Sequence, residues 1–123
     1  MPNNQKRILI VEDEKPITRV LANKLNTIGY YTEIAYDGEE ALQILKAKSF
    51  DLVILDLLLP KVDGFILLAQ IKALKIQTTV IVSSNLALEE DIKKAKALGA
   101  VDYYVKSDTE LQEVVDKIKK YLQ

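Results

Sequence analysis

Asp51-Leu52-Val53-Ile54-Leu55-Asp56 is the stretch on which the fold turns: four uninterrupted apolar residues with a carboxylate at either end. So short an apolar run, bounded by polar residues, reads as a strand buried on both faces. Outward from it, Ile8-Leu9-Ile10-Val11 and Val80-Ile81-Val82 repeat the signal with β-branched residues. Polar or aromatic residues dilute two weaker strands, expected at 32–36 and 103–105.

Helical patterns fill the gaps. Ile17, Val20, Leu21, Leu25 and Ile28 recur at helical spacing, with Pro16 suited to the first turn and Gly29 to the C′ position. Ala41, Leu42 and Leu45 follow Asp37, a good N-cap, with Glu39 and Glu40 where the helix dipole favours them. Phe65, Leu68 and Ile71 follow Asp63-Gly64, and Leu88, Ile92, Ala95 and Leu98 end at Gly99. The last pattern, Leu111 to Leu122, follows Ser107-Asp108-Thr109-Glu110, which reads as a capping box starting at Ser107. A strand and a helix thus alternate five times, predicting an α/β fold: a parallel sheet with helices on both faces.

Composition bounds the chemistry. With 123 residues, 49% of them hydrophobic, the chain has room for one domain, spanning residues 1–123, and none for a second. The 17 Lys+Arg nearly balance the 18 Asp+Glu, which gives no nucleic-acid footprint. The absence of Cys and His excludes disulfides, zinc clusters, thiolate nucleophiles and Ser-His-Asp triads. Any metal must be held by oxygen, which favours a hard cation such as Mg²⁺. The four strongly apolar residues between Arg7 and Glu12 are too few for a signal peptide or a membrane span, so a cytoplasmic protein is expected.

In open α/β sheets, ligands bind beyond the carboxyl ends of the strands. The first strand runs into Glu12-Asp13, the third into Asp56, the fourth into Ser83-Ser84 and the fifth into Lys106. Three carboxylates, a hydroxyl and an ammonium would share one edge. Such carboxylates repel unless a cation intervenes; one can act as a nucleophile toward phosphorus, and Lys106 and a Ser hydroxyl can stabilise the transferring group. Taken singly, Glu12-Asp13 reads as a helix cap, Asp56 as a turn residue, Lys106 as a solvated lysine and the serines as turn formers. Their joint appearance at four strand ends favours a site.

These residues resemble the receiver domain of bacterial two-component response regulators from about Lys6 to Leu122. The resemblance is carried by Ile8-Leu9-Ile10-Val11-Glu12-Asp13-Glu14, by Asp51 through Pro60 running into Asp63-Gly64, by Gly99-Ala100, and by Asp102-Tyr103-Tyr104-Val105-Lys106. Asp56 to Ser84 is 28 positions, and Ser84 to Lys106 is 22 more. It implies a flavodoxin-like doubly wound sheet with strand order 2-1-3-4-5, for which a member of this family is a standing example. It further implies Asp56 as phosphoacceptor, taking its phosphoryl group from a histidine kinase or phosphotransfer protein. Asp13, Asp56 and the Leu58 carbonyl would ligate Mg²⁺ or Mn²⁺, with Glu12 acting through water. Lys106 would pair with the phosphoryl group, Ser84 would be the switch hydroxyl and Tyr103 the switch aromatic. The chemistry implied is self-catalysed transfer to Asp56 with slow autodephosphorylation, Leu58 and Leu86 flanking the path of water without positioning it. The output would be a surface of the fourth helix, fifth strand and fifth helix, recognised by a downstream protein or used for relay, or a phosphorylation-dependent homodimer. Direct nucleic-acid binding, a membrane and an output domain are not expected.

Three positions depart from the family pattern. Ser107 stands where a proline normally follows the lysine through a cis bond; since a cis bond before a non-proline residue costs about 2.5–4 kcal/mol, a trans bond is expected. Asn85 replaces a small residue, and Ser84 replaces the commoner Thr. Asn85 and Ser107 also motivate the competing reading, a receiver that binds partners without ever carrying phosphate. A flavin or nucleotide enzyme on the same fold is disfavoured, because no Gly-rich loop follows the first strand.

Overall fold

The apolar runs become five strands: β1 (Arg7–Val11), β2 (Tyr31–Ala35), β3 (Leu52–Leu55), β4 (Thr79–Ser84) and β5 (Asp102–Val105). Between and after them lie α1 (Lys15–Ile28), α2 (Gly38–Ala47), α3 (Gly64–Ala73), α4 (Glu89–Ala97) and α5 (Leu111–Leu122). The computed structural model describes residues 5–123; residues 1–4, on which the reading of the amino terminus partly rests, lie outside them. All pairings are parallel, in the order β2-β1-β3-β4-β5, as expected.

Alternation of side chains across the strands divides the core in two. Leu9, Val11, Val53, Leu55, Val80 and Val82 face α2, α3 and α4, meeting Ala41, Leu45, Leu67, Leu68, Ile71 and Ala95. Ile8, Ile10, Leu52, Ile54, Ile81 and Tyr104 face α1 and α5, meeting Leu21, Leu25, Val115 and Ile118. Burial on both faces is why the central strands are continuous rather than alternating in hydrophobicity. The chain winds from β1 outward to β2 and then returns to the other side of β1 for β3. The crevice above β1 and β3 is therefore the topological switch point.

Local chemistry sets the helix ends. Asp37 Oδ1 accepts the Glu40 N–H at 2.8 Å, and Asp63 Oδ1 accepts the Phe65 N–H at 2.7 Å. Gly29 closes α1 at φ 118°, a left-handed conformation costly for residues with a Cβ. At the opposite edge from the switch point, Arg7 is clamped. Its backbone N–H reaches Asp51 Oδ2 at 2.8 Å, its Nε the Ser49 carbonyl at 2.9 Å, and its guanidinium lies 4.4 Å over the Tyr31 ring.

Two expectations need correction. The cap of α5 is not Ser107: residues Lys106–Asp108 form a 3₁₀ turn, and Glu110 caps the helix, its N–H reaching Glu113 Oε1 at 3.3 Å. Thr109, which the expected box would place inside the helix, instead donates its hydroxyl to the Val105 carbonyl. Second, the apolar pattern of α1 is wider than its buried face. Ile17 and Val20 are exposed, while the face against the sheet is Thr18, Leu21, Ala22 and Leu25. Thr18 is tolerated there because its hydroxyl donates to the Glu14 carbonyl at 2.8 Å.

Candidate functional site

The first and third strands deliver their carboxylates to the switch-point crevice as the backbone leaves the sheet. The Asp56 N–H still bonds to the Val11 carbonyl at 3.0 Å, and the Glu12 N–H to that of Ala35 at the same distance. Both carboxylates are thus anchored by the last rungs of the ladder. Gly64 pins the loop after Asp56. A Cβ at Gly64 would lie 2.6 Å from the Asp56 carbonyl oxygen and collide with the Leu57 backbone, so a side chain there would displace the acceptor's own main chain.

At the centre is an ammonium between two carboxylates. Lys106 Nζ donates to Glu12 Oε1 at 2.6 Å and to Asp56 Oδ2 at 2.9 Å, with the three side chains only 12%, 6% and 4% exposed. The remaining oxygens are also engaged: Glu12 Oε2 accepts the Glu14 N–H at 3.2 Å, and Asp56 Oδ1 the Leu58 N–H at 3.1 Å. Burial raises the pKa of Glu12 above the ordinary value, and the Asp56 charge adds to this while the bond from Lys106 opposes it. Burial works against the Lys106 ammonium, but its bonds to Glu12 and Asp56 outweigh it and hold its pKa above that of a free lysine. The ammonium offsets part of the negative charge that Glu12 and Asp56 bring to the crevice.

Asp13 stands apart in being exposed, yet one oxygen each from Glu12, Asp13 and Asp56 lie within 4.8 Å of one another. Oxygens on one octahedral Mg²⁺ are at most about 4 Å apart, so a small closure of this cluster fits the ion, and an all-carboxylate donor set suits a hard cation. Leu58 is exposed and Leu86 half-buried.

The two serines part company. Ser84 is fully buried and its Oγ accepts the Leu86 N–H at 3.2 Å, while the Tyr103 hydroxyl donates to the Leu86 carbonyl. Among the described contacts, Ser84 bonds to this loop rather than to Asp56. Burial raises the Tyr103 hydroxyl pKa above its ordinary value. Ser83 points to the other face, beside Tyr104, whose hydroxyl is pushed up to about 12 by burial.

No cis peptide occurs among the described residues, so the Lys106–Ser107 bond is trans, as expected. The Ser107 N–H, which a proline would lack, donates to Asn85 Oδ1 at 2.9 Å. Sequence reasoning marked both residues as departures but missed that they are partners, since nothing in a pattern pairs positions 22 residues apart. It also missed Glu14, whose carboxylate lies 3.5 Å from Lys106 Nζ; its place two residues beyond Glu12 was the available signal.

Comparison with known proteins agrees with this geometry. The family model described as the response regulator receiver domain matches residues 8–119. Sporulation initiation phosphotransferase F of Bacillus subtilis is 34% identical over 95% of this chain and 94% of its own length. The probable transcriptional regulator ycf27 of Cyanidium caldarium is 36% identical over 97% of this chain but 48% of its own, and the chain spans about half the length of such curated relatives. Among solved structures, a CheY-like response regulator receiver domain protein from Methanospirillum hungatei JF-1 superposes with a TM-score of 0.90 at 30% identity, covering 97% of this chain and 94% of that one. With sequence, topology and the crevice in accord, the chain belongs to the response regulator receiver domain family.

Proposed function

We propose that this chain is one receiver unit that accepts a phosphoryl group on Asp56 from a phosphohistidine of a histidine kinase or phosphotransfer protein. The observation that carries the reading is the buried Asp56 carboxylate held 2.9 Å from the Lys106 ammonium at the switch point. In the step, an Asp56 oxygen attacks phosphorus, the P–N bond breaks, and the departing imidazole keeps the electron pair and takes a proton from solvent. Lys106, paired with Asp56 Oδ2, passes its hydrogen bond to a phosphoryl oxygen as charge moves outward. Ser84, whose Oγ now accepts from Leu86, has its hydroxyl proton to donate to a second phosphoryl oxygen.

Asp13 and Asp56, with the Leu58 carbonyl and with Glu12 through water, would hold Mg²⁺ or Mn²⁺. Bound there, the cation supplies positive charge that offsets the phosphoryl oxygens. Leu58 and Leu86 offer no hydrogen bond to an attacking water, which favours slow autodephosphorylation. Drawing Ser84 toward the phosphoryl group strains its bond to Leu86 and thereby the Leu86–Tyr103 bond, so Tyr103 turns and the α4–β5–α5 surface changes. That surface serves a downstream protein partner or relay; near-balanced charge favours protein over nucleic acid as its direct contact. No described helix is long and apolar enough to cross a membrane, and the reading places the domain in the cytoplasm with its phosphodonor.

Incubation with acetyl phosphate and Mg²⁺, followed by intact mass measurement, tests the proposal. Wild type should gain one phosphoryl group and Asp56→Asn none. Failure of wild type to gain it would leave the phosphate-independent binding module as the better reading, and labelling of Asp56→Asn would move the acceptor elsewhere.

A further inference from the structure

Two loops meet beside the crevice through a single hydrogen bond. The Ser107 N–H donates to Asn85 Oδ1 at 2.9 Å, joining the loop after β4 to the 3₁₀ turn after β5. Its place in the chain gives the bond its weight. Ser107 directly follows Lys106, whose Nζ bridges Glu12 and Asp56, and Asn85 directly follows the buried Ser84.

A backbone N–H can only donate, so the amide oxygen of Asn85 must face Ser107, which settles the orientation of the side chain. The donor exists only because residue 107 is not proline. The backbone of its turn has few other ties: Ser107 and Asp108 are exposed, the bond from the Thr109 N–H to the Lys106 carbonyl is long at 3.5 Å, and the Thr109 hydroxyl braces the Val105 carbonyl just before the turn. The side chain of Lys106 is held by Glu12 and Asp56, but among the described residues Asn85 is the outside side chain that bonds the backbone of this turn. A one-residue lever then connects the fastening to the ammonium. If the 107 peptide swings, the Lys106 backbone swings with it, and a long side chain must reach the two carboxylates from a shifted origin.

We propose that Asn85 is a positioning residue: by accepting the Ser107 N–H it holds the trans Lys106–Ser107 segment in place and keeps the Lys106 ammonium seated between Glu12 and Asp56. The seating stands on the geometry alone; its consequence for phosphoryl transfer rests on the Asp56 reading above. Position 85 thus matters for the Lys106 ammonium, although it touches neither carboxylate by any described hydrogen bond. The pairing also accounts for two departures from the family pattern as one device, an amide acceptor matched to the N–H that a serine retains.

The test uses the full chain and two nuclear magnetic resonance readouts that need no phosphorylation. One is hydrogen exchange of the Ser107 amide; the other is the Lys106 ammonium signal, which is sharp only while that group is held in its pairs. In Asn85→Ala, Ser107 exchange should quicken by about three- to tenfold, the factor one hydrogen bond supplies, and the Lys106 signal should broaden. Asn85→Asp keeps an acceptor oxygen and should restore both. With acetyl phosphate and Mg²⁺, Asn85→Ala should slow phosphoryl uptake several-fold in the wild-type background, and should have no effect in Ser107→Pro, which has no N–H to accept. An unchanged Lys106 signal in Asn85→Ala would overturn the proposal, even if Ser107 exchange quickened. An equal slowing in both backgrounds would do the same. Should Ser107→Pro fail to fold, the exchange and ammonium readouts decide alone. Wild type that shows both signals but takes up no phosphoryl group would sink the Asp56 reading while leaving the seating of Lys106 intact.

Discussion

Two hydroxyl–tyrosine pairs sit one residue apart on β4 and β5, and they behave differently. Ser83 lies opposite Tyr104 in the strand register, both point to the α1–α5 face, and both are buried. Ser84 and Tyr103 point to the other face, and each bonds to Leu86 in the loop after β4 rather than to a packed helix. The same residue types, shifted by one position, give a locked pair and a pair hung on a loop. Strand periodicity alone makes this distinction, because successive side chains point to opposite faces. A one-residue slip of β5 would exchange the two tyrosines.

The largest expected break in that contrast is in stability. Tyr104→Ala should cost about 3–5 kcal/mol, as for a large aromatic removed from a packed core, whereas half-buried Tyr103→Ala should cost about 1–2 kcal/mol. Urea titration measures both, and equal losses would mean that the tyrosines do not differ in kind. Alkaline pH gives the next effect. Between the ordinary tyrosine value of 10.0 and its folded value of about 12, Tyr104 keeps its proton in the fold but releases it in the unfolded chain. The folded state then binds more protons, so stability falls as pH rises through this window, by about 2–3 kcal/mol in all. Lys106, raised by its pairs, contributes stability present below the free-lysine value and lost above it, which steepens the same fall. Tyr104→Phe should flatten the decline measurably, and Tyr103→Phe should flatten it less. The smallest effect is on the serines: Ser84→Ala leaves the Leu86 N–H without its partner, costing about 1 kcal/mol by thermal melting. Phosphorylation should sharpen the comparison from the other side. The aromatic resonances of Tyr103 should shift and those of Tyr104 should not.

Much of this was legible in the chain. The continuous runs at Ile8 and Leu52 announce strands covered on both faces, and five of them alternating with helical patterns leave little choice of architecture. The residues after each run named the crevice, because a parallel sheet must gather its strand ends at one edge. What pattern could not give was pairing at a distance. Lys106 was expected at the crevice, but not its bridge between Glu12 and Asp56. The bond between Asn85 and Ser107 depends on two loops that local propensity does not place. The start of α5 differs from the pattern for a related reason: Ser107-Asp108-Thr109-Glu110 satisfies a capping pattern, but the distant tie of Ser107 to Asn85, with a local bond from the Thr109 hydroxyl to Val105, accompanies a tighter turn there. Ile17 and Val20 show the converse limit, since helical spacing cannot tell an apolar residue facing the sheet from one facing water.

The clamp on Arg7 gives the sheet two unlike ends. β1 starts at a guanidinium wedged over the Tyr31 ring and tied to the Ser49 carbonyl, and stops just short of Glu12. Those five residues span roughly 17 Å, a single straight rod from a riveted hilt to a working tip. A dye or tether fixed near the hilt would therefore sit a full strand's length from the crevice, on the end of the sheet that Tyr31 and Ser49 brace.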